Sequence, residues 1–286
     1  MSYKVVSDSS SNIWGMNTPC FASVPMKVRT EQEYIDCQGL DVKAMVEDLR
    51  THKGKSGSSC PNVGEWLEAF GDADMVFGTT ISKHLSGSYN AAQQAAETYM
   101  EEHPGKLAFI FDSLGTGPQQ AMLVEKIMEL AEQKLDFETI KEKVLDYHNH
   151  THTLFCLESM MNLARNGRTS MAVAKLAGML GIRVCGYGKG GQIAAEHKPR
   201  GPRKAIETLM QMIEERGFYD GAKLRIAHCF GAEQAKALAD AVLERFPKAR
   251  VSIEPTTALC SFNAEAGGLI VGFEGGFNAE NDNRIF

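Results

Sequence analysis

The chain lacks most of the features that would fix a function at once. No run comes near the ~18 consecutive apolar residues that a membrane-spanning helix needs. There is no basic excess: 30 Lys and Arg face 36 Asp and Glu, a formal net charge of −6. Nucleic-acid binding needs clustered cations, so that class is disfavoured. The seven cysteines (Cys20, Cys37, Cys60, Cys156, Cys185, Cys229 and Cys260) are scattered, odd in number and form no C-x-x-C. Reduced thiols fit that usage better than a disulfide framework or a zinc ribbon. Neither a G-x-x-x-x-G-K-[ST] phosphate loop nor a G-x-S-x-G nucleophile turn occurs. The opening Met1-Ser2-Tyr3-Lys4-Val5-Val6 runs almost directly into a strand-like segment without a signal peptide. A cytoplasmic protein is the expectation.

What is present is an ordinary globular composition, 43% hydrophobic and 23% charged over 286 residues. That length can bury a large core and lies where one domain begins to split into two. The first half alternates strand and helix, with helical patterns at 42–50, 63–70, 89–102, 118–134 and 136–147. Ala91, Ala92, Ala95 and Ala96 give the third of these a small-residue face suited to close packing on a sheet. Strands alternating with such helices predict an α/β fold with a parallel sheet and right-handed crossovers.

The second half is richer in strands. Segments 153–157, 182–186, 192–197, 224–230, 251–254, 258–262 and 269–274 read as strands, and 159–165, 172–180, 204–216 and 233–246 as helices. Gly181 suits a helix C-terminal cap and Gly167 a turn with positive φ. The expected architecture is a three-layer α/β/α parallel-sheet domain over 1–150 and a two-layer mixed-sheet domain over 151–286. The stretch 276–281 reads as a poorly tied terminus.

Apolar β-type runs in the first half repeatedly end in hydroxyl clusters. Val5-Val6 leads to Ser7-Asp8-Ser9-Ser10-Ser11, Met75-Val76-Phe77 to Thr79-Thr80-Ile81-Ser82, and Phe109-Ile110-Phe111 to Asp112-Ser113. Leu85-Ser86-Gly87-Ser88-Tyr89 precedes a helix, and Ser56-Gly57-Ser58-Ser59-Cys60-Pro61 lies in a connection between helices. In an open α/β sheet the carboxyl ends of parallel strands form the ligand-binding edge. Neutral hydroxyls and free N–H groups gathered there suit an anionic head group, a carboxylate or a phosphate. Taken singly, each cluster is also an ordinary turn or helix cap, and Asp8 reads as a structural Asx turn.

Two segments invite a sharper reading than they support. His148-Asn149-His150-Thr151-His152 would put His150 and His152 on one face of a strand. It completes no standard zinc spacing and has no acidic partner nearby, so a polar connection is the better reading and no metal is expected. Gly186-Tyr187-Gly188-Lys189-Gly190-Gly191 reads as a hairpin turn.

Val5-Val6-Ser7-Asp8-Ser9-Ser10-Ser11, Ser58-Ser59-Cys60-Pro61, Ile81 to Ala91, Phe111-Asp112-Ser113, Leu157-Glu158 with Asn162 to Arg168, and Lys198-Pro199-Arg200-Gly201 occur in the order and spacing of the DegV family. The likeness spans essentially the whole chain. The resemblance implies a two-domain α/β protein that binds a long-chain fatty acid in a cleft between domains. Some members of that family present the carboxylate to a partner, a dihydroxyacetone-kinase-like fatty acid kinase subunit, for conversion to an acyl phosphate, and others are known only as lipid-binding proteins. The chain would then carry a substrate rather than catalyse, with the fatty acid as ligand and no cofactor.

Matched to the family pattern, Ser58, Ser59 and Ser86 are the carboxylate ligands, with Gly87 allowing close backbone approach and Arg168 supplying positive charge. Ser9, Ser10, Ser113 and Arg200 are candidate cleft lining. The chain departs from the pattern in three places. Ser58-Ser59-Cys60-Pro61 stands for Thr-Ser-Gln-Pro, and Asn166-Gly167-Arg168-Thr169 for Gly-Gly-Arg-Ile. Asn263 stands where many members have a histidine that approaches the carboxylate, and an amide carries no proton at neutral pH. Phosphotransfer is therefore less secured by sequence than lipid binding. Two other readings stay open: a stand-alone serine hydrolase of acyl esters, and a carrier of another amphipathic anion. The hydrolase would need a base beside a serine, and His84 sits awkwardly only two positions before Ser86.

Overall fold

The computed structural model describes residues 2–281. In chain order the first half contains β1 (Tyr3–Asp8), β2 (Phe21–Val24), β3 (Lys27–Arg29), β4 (Glu33–Ile35), α1 (Val42–Thr51), β5 (Gly57–Ser59) and α2 (Val63–Phe70). These are followed by β6 (Met75–Thr80), α3 (Ser88–Glu102), β7 (Leu107–Asp112), α4 (Pro118–Glu132) and α5 (Phe137–His148). The strands β2-β1-β6-β7 form a parallel sheet in that order. Its apolar residues alternate between two faces, as the strand period of two requires. Val5, Phe77 and Phe111 pack under α4 and α5, whereas Val6, Val76 and Ile110 pack under α2 and α3. The result is the expected α/β/α layering. A small antiparallel sheet, β4-β3-β5, is appended to it and carries Ser58 and Ser59.

The second half contains β8 (Thr151–Leu157), α6 (Met161–Arg165), α7 (Met171–Ala177), β9 (Val184–Lys189), β10 (Gln192–His197) and α8 (Pro202–Glu215). It closes with β11 (Lys223–His228), α9 (Ala232–Arg245), β12 (Arg250–Pro255), α10 (Ala258–Ala264) and β13 (Leu269–Glu274). Six strands form one mixed sheet, ordered β10-β9-β8-β13-β11-β12, in which β11 and β12 are the parallel pair. One face, with Leu154, Cys156, Leu224 and Phe273, is covered by α8 and α9. The other face, with Phe155, Leu157 and Ile270, looks toward the first half, where Met26, Val28, Met45 and Ile81 join the same cluster as α10.

Three expectations fail. Residues 258–262 form not a strand but the start of α10. A short buried apolar run carries no period to separate the two, and here the decision is made by Asp36. Its carboxylate accepts from Ala258 N at 2.9 Å and Leu259 N at 3.0 Å, satisfying the free N–H groups of a helix start. The helix expected over 172–180 ends at Ala177 with Gly178 as its cap, although Gly181 does have a positive φ of 72°. The stretch 276–281 is tied down: Gly276 N donates to Arg216 O (2.8 Å), Asn278 N to Asn149 O (2.6 Å), and the Asn281 amide to His148 O and Thr151 O.

Candidate functional site

The carboxyl edge of the parallel sheet and the inner face of the mixed sheet enclose an apolar slot. Thr153, Phe155 and Leu157, at alternate positions of β8, form one wall with Ile270 of β13 and Ile193 of β10. Leu114, Gly115 and Thr116 close it from the loop after β7, and Leu85, Leu163 and Asn263 come from the α3 entry, α6 and α10. The cavity measures about 60 Å³. Apolar lining with a few convergent polar groups is the usual character of a ligand cleft.

Wall and loop geometry both follow from local sequence. Gly186 in β9 has no alternative: a Cβ there would lie 2.1 Å from Ala194 O and 2.4 Å from the Phe155 ring. Leu114 adopts φ 49°, and its side chain is nonetheless buried at the slot. That turn is held by Asp112, whose Oδ1 accepts from Leu114 N (3.0 Å) and Lys83 N (3.2 Å). Burial pushes the Asp112 carboxyl above the ordinary carboxylate range.

Three polar segments meet beside Leu85. Arg168 donates from Nε to Leu85 O at 3.1 Å and also reaches Asn166 O. The Asn166 amide oxygen stands 3.2 Å from where a Gly57 Cβ would be, which joins that turn to β5. A Cβ on Gly87 would stand 3.5 Å from Cys60 Sγ, an ordinary contact that sets Cys60 beside the α3 entry. Ser58-Ser59-Cys60, Ser86-Gly87 and Asn166-Gly167-Arg168 thus form one cluster beside Leu85, a lining residue of the slot, while none of them lines the slot itself. Ser86 Oγ accepts weakly from Ser88 N (3.3 Å), and Gly87 is the N-cap of α3 with no side-chain cap bond. Ser59 Oγ is buried with no hydrogen-bond partner among the described residues. An orphaned hydroxyl of that kind costs on the order of 1–3 kcal/mol.

The remaining candidates lie elsewhere. Ser9 donates to Asp36 Oδ2 (2.9 Å) and accepts from Met26 N (2.9 Å). Ser10 lies between Asp8 and Gln120, and Ser113 donates to Gly115 O (3.1 Å). All three hydroxyls are buried and spent on the scaffold rather than on the slot. Arg200 is exposed beside Gly181, bridged through its backbone to Ile182. Asn263 does line the slot.

Asp8 is more than a turn residue. Its carboxylate accepts from Ser88 Oγ (2.6 Å), Gln120 Nε2 (2.9 Å), Ile81 N (3.1 Å) and Ser10, and burial raises its pKa against those donors. The histidines of the 148–152 segment face carbonyl oxygens: His148 Nε2 meets Ser113 O at 2.8 Å, and His152 Nε2 meets Gly276 O at 3.0 Å. Among the described residues no three His, Cys, Asp or Glu side chains are placed to hold a metal ion. Nor does any histidine ring nitrogen there hydrogen-bond a serine hydroxyl, the contact a hydrolase triad would use. No described helix is long and apolar enough to cross a membrane.

The sequence pointed to the Ser58, Ser86 and Arg168 segments but not to the slot walls. Thr153, Tyr187 and Ile193 carry no motif; only the period-two pattern of β8 and the glycines of β9 hinted at a face kept clear.

A parallel α/β/α unit whose strand ends look across an apolar slot at a mixed sheet defines a class of ligand-cleft protein. Comparison places the chain within that class. A family profile described as "uncharacterised protein, DegV family" matches residues 2–274, and the chain belongs to the DegV family. A DegV domain-containing protein of Streptococcus pneumoniae is 35% identical over 280 residues, covering 96% of this chain and 99% of that one. A crystallised DegV family protein from Eubacterium eligens, loaded with heptadecanoic acid, matches with a TM-score of 0.93 at 36% identity over 96% of this chain and 100% of its own. The fatty acid kinase (Fak) B3 protein of Streptococcus pneumoniae, loaded with linoleic acid, matches equally well, at 34% identity and the same coverage.

Proposed function

We propose that this protein binds a long-chain fatty acid, with the acyl chain in the slot and the carboxylate at the Ser58–Ser59–Ser86–Arg168 cluster. The observation that carries this reading is the position of that cluster beside Leu85, a lining residue of the apolar slot, with Ser59 Oγ buried and without a partner among the described residues. Burying a carboxylate without partners costs several kcal/mol, so a bound acid needs several donors at once. Ser58, Ser59 and Ser86 hydroxyls can supply them, while the α3 N-terminus at Gly87 and the Arg168 guanidinium add positive potential. Asn263 lines the slot and can donate an amide N–H but cannot relay a proton. The loaded relatives, 34% and 36% identical over nearly the full chain, support the same ligand class.

In this reading the chain is a carrier of two domains divided near residue 150, and it performs no chemistry itself. Its partner is a kinase subunit, with which the Fak B3 relative's name accords, and that subunit supplies ATP and converts the presented carboxylate to an acyl phosphate. The carrier needs no cofactor and works in the cytoplasm.

The test is lipid extraction from the purified protein with identification by mass spectrometry, followed by uptake of oleate or palmitate by delipidated protein. A recovered acyl chain, with uptake weakened about tenfold or more by Ser59→Ala with Ser86→Ala, is the expected result. Recovery of no acyl chain, together with no uptake, would overturn the reading. Robust acyl-ester hydrolysis abolished by Ser86→Ala would replace it with a hydrolase.

A further inference from the structure

Three stretches of the chain meet at the head-group cluster, and none of them contains an acid. Residues 49–64, 75–96 and 159–195 hold no Asp or Glu, although acids make up 36 of the 286 residues. The same stretches hold nine of the 30 Lys and Arg, so the remaining 21 face all 36 acids and the rest of the chain carries −15. The fold brings the stretches together. Asn166 Oδ1 lies against Gly57, Arg168 Nε donates to Leu85 O at 3.1 Å, and Gly87 lies against Cys60. A molecule with a formal net charge of −6 thus gathers cations around one cluster.

Several of these cations are uncommitted. Lys53, Lys55, Arg165 and Lys175 are exposed, and none of them makes an ion pair among the described residues. Lys83 reaches Asp112 only at 3.9 Å. Elsewhere cations are tied into the fold, as Lys223 and Arg225 are to Glu125, Arg216 to Glu196 and Arg250 to Glu274. The acids that border the face are spent as well. Glu65 accepts from Lys27 Nζ and Asn62 N, each at 2.7 Å. Glu265 accepts from Ser159 Oγ (2.7 Å) and Asn162 N (2.9 Å), and Glu158 pairs with Arg183. Met171, Met179 and Leu180 of the third stretch are 43%, 55% and 89% exposed. Methionine and arginine are enriched in protein interfaces, where pliant Met side chains adapt to a partner's contour.

We propose that this face docks an acidic protein surface, with Lys53, Lys55, Arg165 and Lys175 as cations around the head-group cluster. Given the carrier reading above, on which this rests, a nucleotide phosphate must reach the carboxylate. Phosphoryl transfer is a matter of positioning with water held off, so the protein that holds the nucleotide has to cover this face. A bilayer brings no nucleotide, which favours a protein over a lipid surface. The nucleotide's own phosphates add negative charge to the partner. Opposed charges speed encounter and set orientation, and exposed ones are screened by salt.

The full chain is titrated into fluorescein-labelled poly-L-glutamate, an acidic polypeptide, and anisotropy is read; phosphatidylglycerol vesicles are the comparison. Saturable binding that weakens at least tenfold from low to physiological salt is expected. Lys53→Glu, Lys55→Glu and Lys175→Glu together weaken it at least tenfold. Lys134→Glu, Lys143→Glu and Lys248→Glu, the same charge change at exposed lysines outside the three stretches, alter it less than threefold. Circular dichroism and oleate uptake match the parent in both triple variants. No binding of polyglutamate at low salt overturns the proposal, as does binding to vesicles alone. So does equal weakening by the two triple variants. Failure of the carrier reading shows separately, as absence of oleate uptake by the parent.

Discussion

The Ser88 hydroxyl donates to Asp8 Oδ2 at 2.6 Å, joining the first turn of α3 to the end of β1 across 80 positions of sequence. The same carboxylate holds Ile81 N and the Gln120 amide, so one buried acid sets three segments around the head-group cluster. Asp8→Ala is expected to destabilise the fold by about 3 kcal/mol or more, since it orphans several buried donors at once. Urea denaturation measures this. Asp8→Asn, which keeps the shape and an acceptor, is expected to lose less.

Much of this was legible in the sequence in outline only. The strand ends, their hydroxyls and the α3 entry were visible because apolar runs and hydroxyl clusters leave local patterns. The use of Ser9, Ser10 and Ser113 was not, because whether a hydroxyl faces a ligand or a buried carboxylate depends on partners far along the chain. Residues 258–262 failed for the same reason: Asp36, more than 220 positions earlier, supplies the acceptors that begin α10.

His148 makes stability depend on pH. Burial lowers its pKa from 6.5 to about 4, because a charged ring cannot be hydrated there. A folded pKa below the unfolded one means that stability is fully present above pH 6.5 and is lost as pH falls toward 4. The sign follows from the unfolded chain binding the extra proton. Between pH 7 and pH 5 this one group is expected to cost about 2 kcal/mol. Urea midpoints across that range check it, and His148→Gln should flatten the slope. His152, also lowered to about 4, adds to the effect.

Thiol labelling reads the site directly. Cys37 is exposed, Cys60 is half-buried beside Ser86, and Cys156, Cys185, Cys229 and Cys260 are buried. Burial also pushes the Cys60 thiol upward, so less of it is thiolate at neutral pH. Peptide mapping after iodoacetamide treatment should show Cys37 modified first and Cys60 slowly, with the four buried thiols spared. Adding oleate should slow Cys60 further and leave Cys37 unchanged. Equal Cys60 labelling with and without oleate would remove the carboxylate from that cluster.

Gly186→Ala is expected to prevent formation of the native slot, since its Cβ would collide with Ala194 O and the Phe155 ring. Circular dichroism and oleate uptake together should show loss of binding with lowered thermal stability. Native uptake by a fully stable variant would show that β9 and β10 can separate at no cost.

The reach of Asp36 into α10 has a mechanical consequence. Asp36 stands in the first half of the chain, its carboxylate buried and tied to Ser9, Trp14, Ala258 and Leu259. The two halves are thereby riveted along the α10 side. On another side of the slot Ser82 Oγ donates to Gly191 O, in the turn that precedes β10, at 2.7 Å. Separating the halves on the α10 side would strip a buried carboxylate of its donors, whereas the Ser82–Gly191 contact is one neutral hydrogen bond.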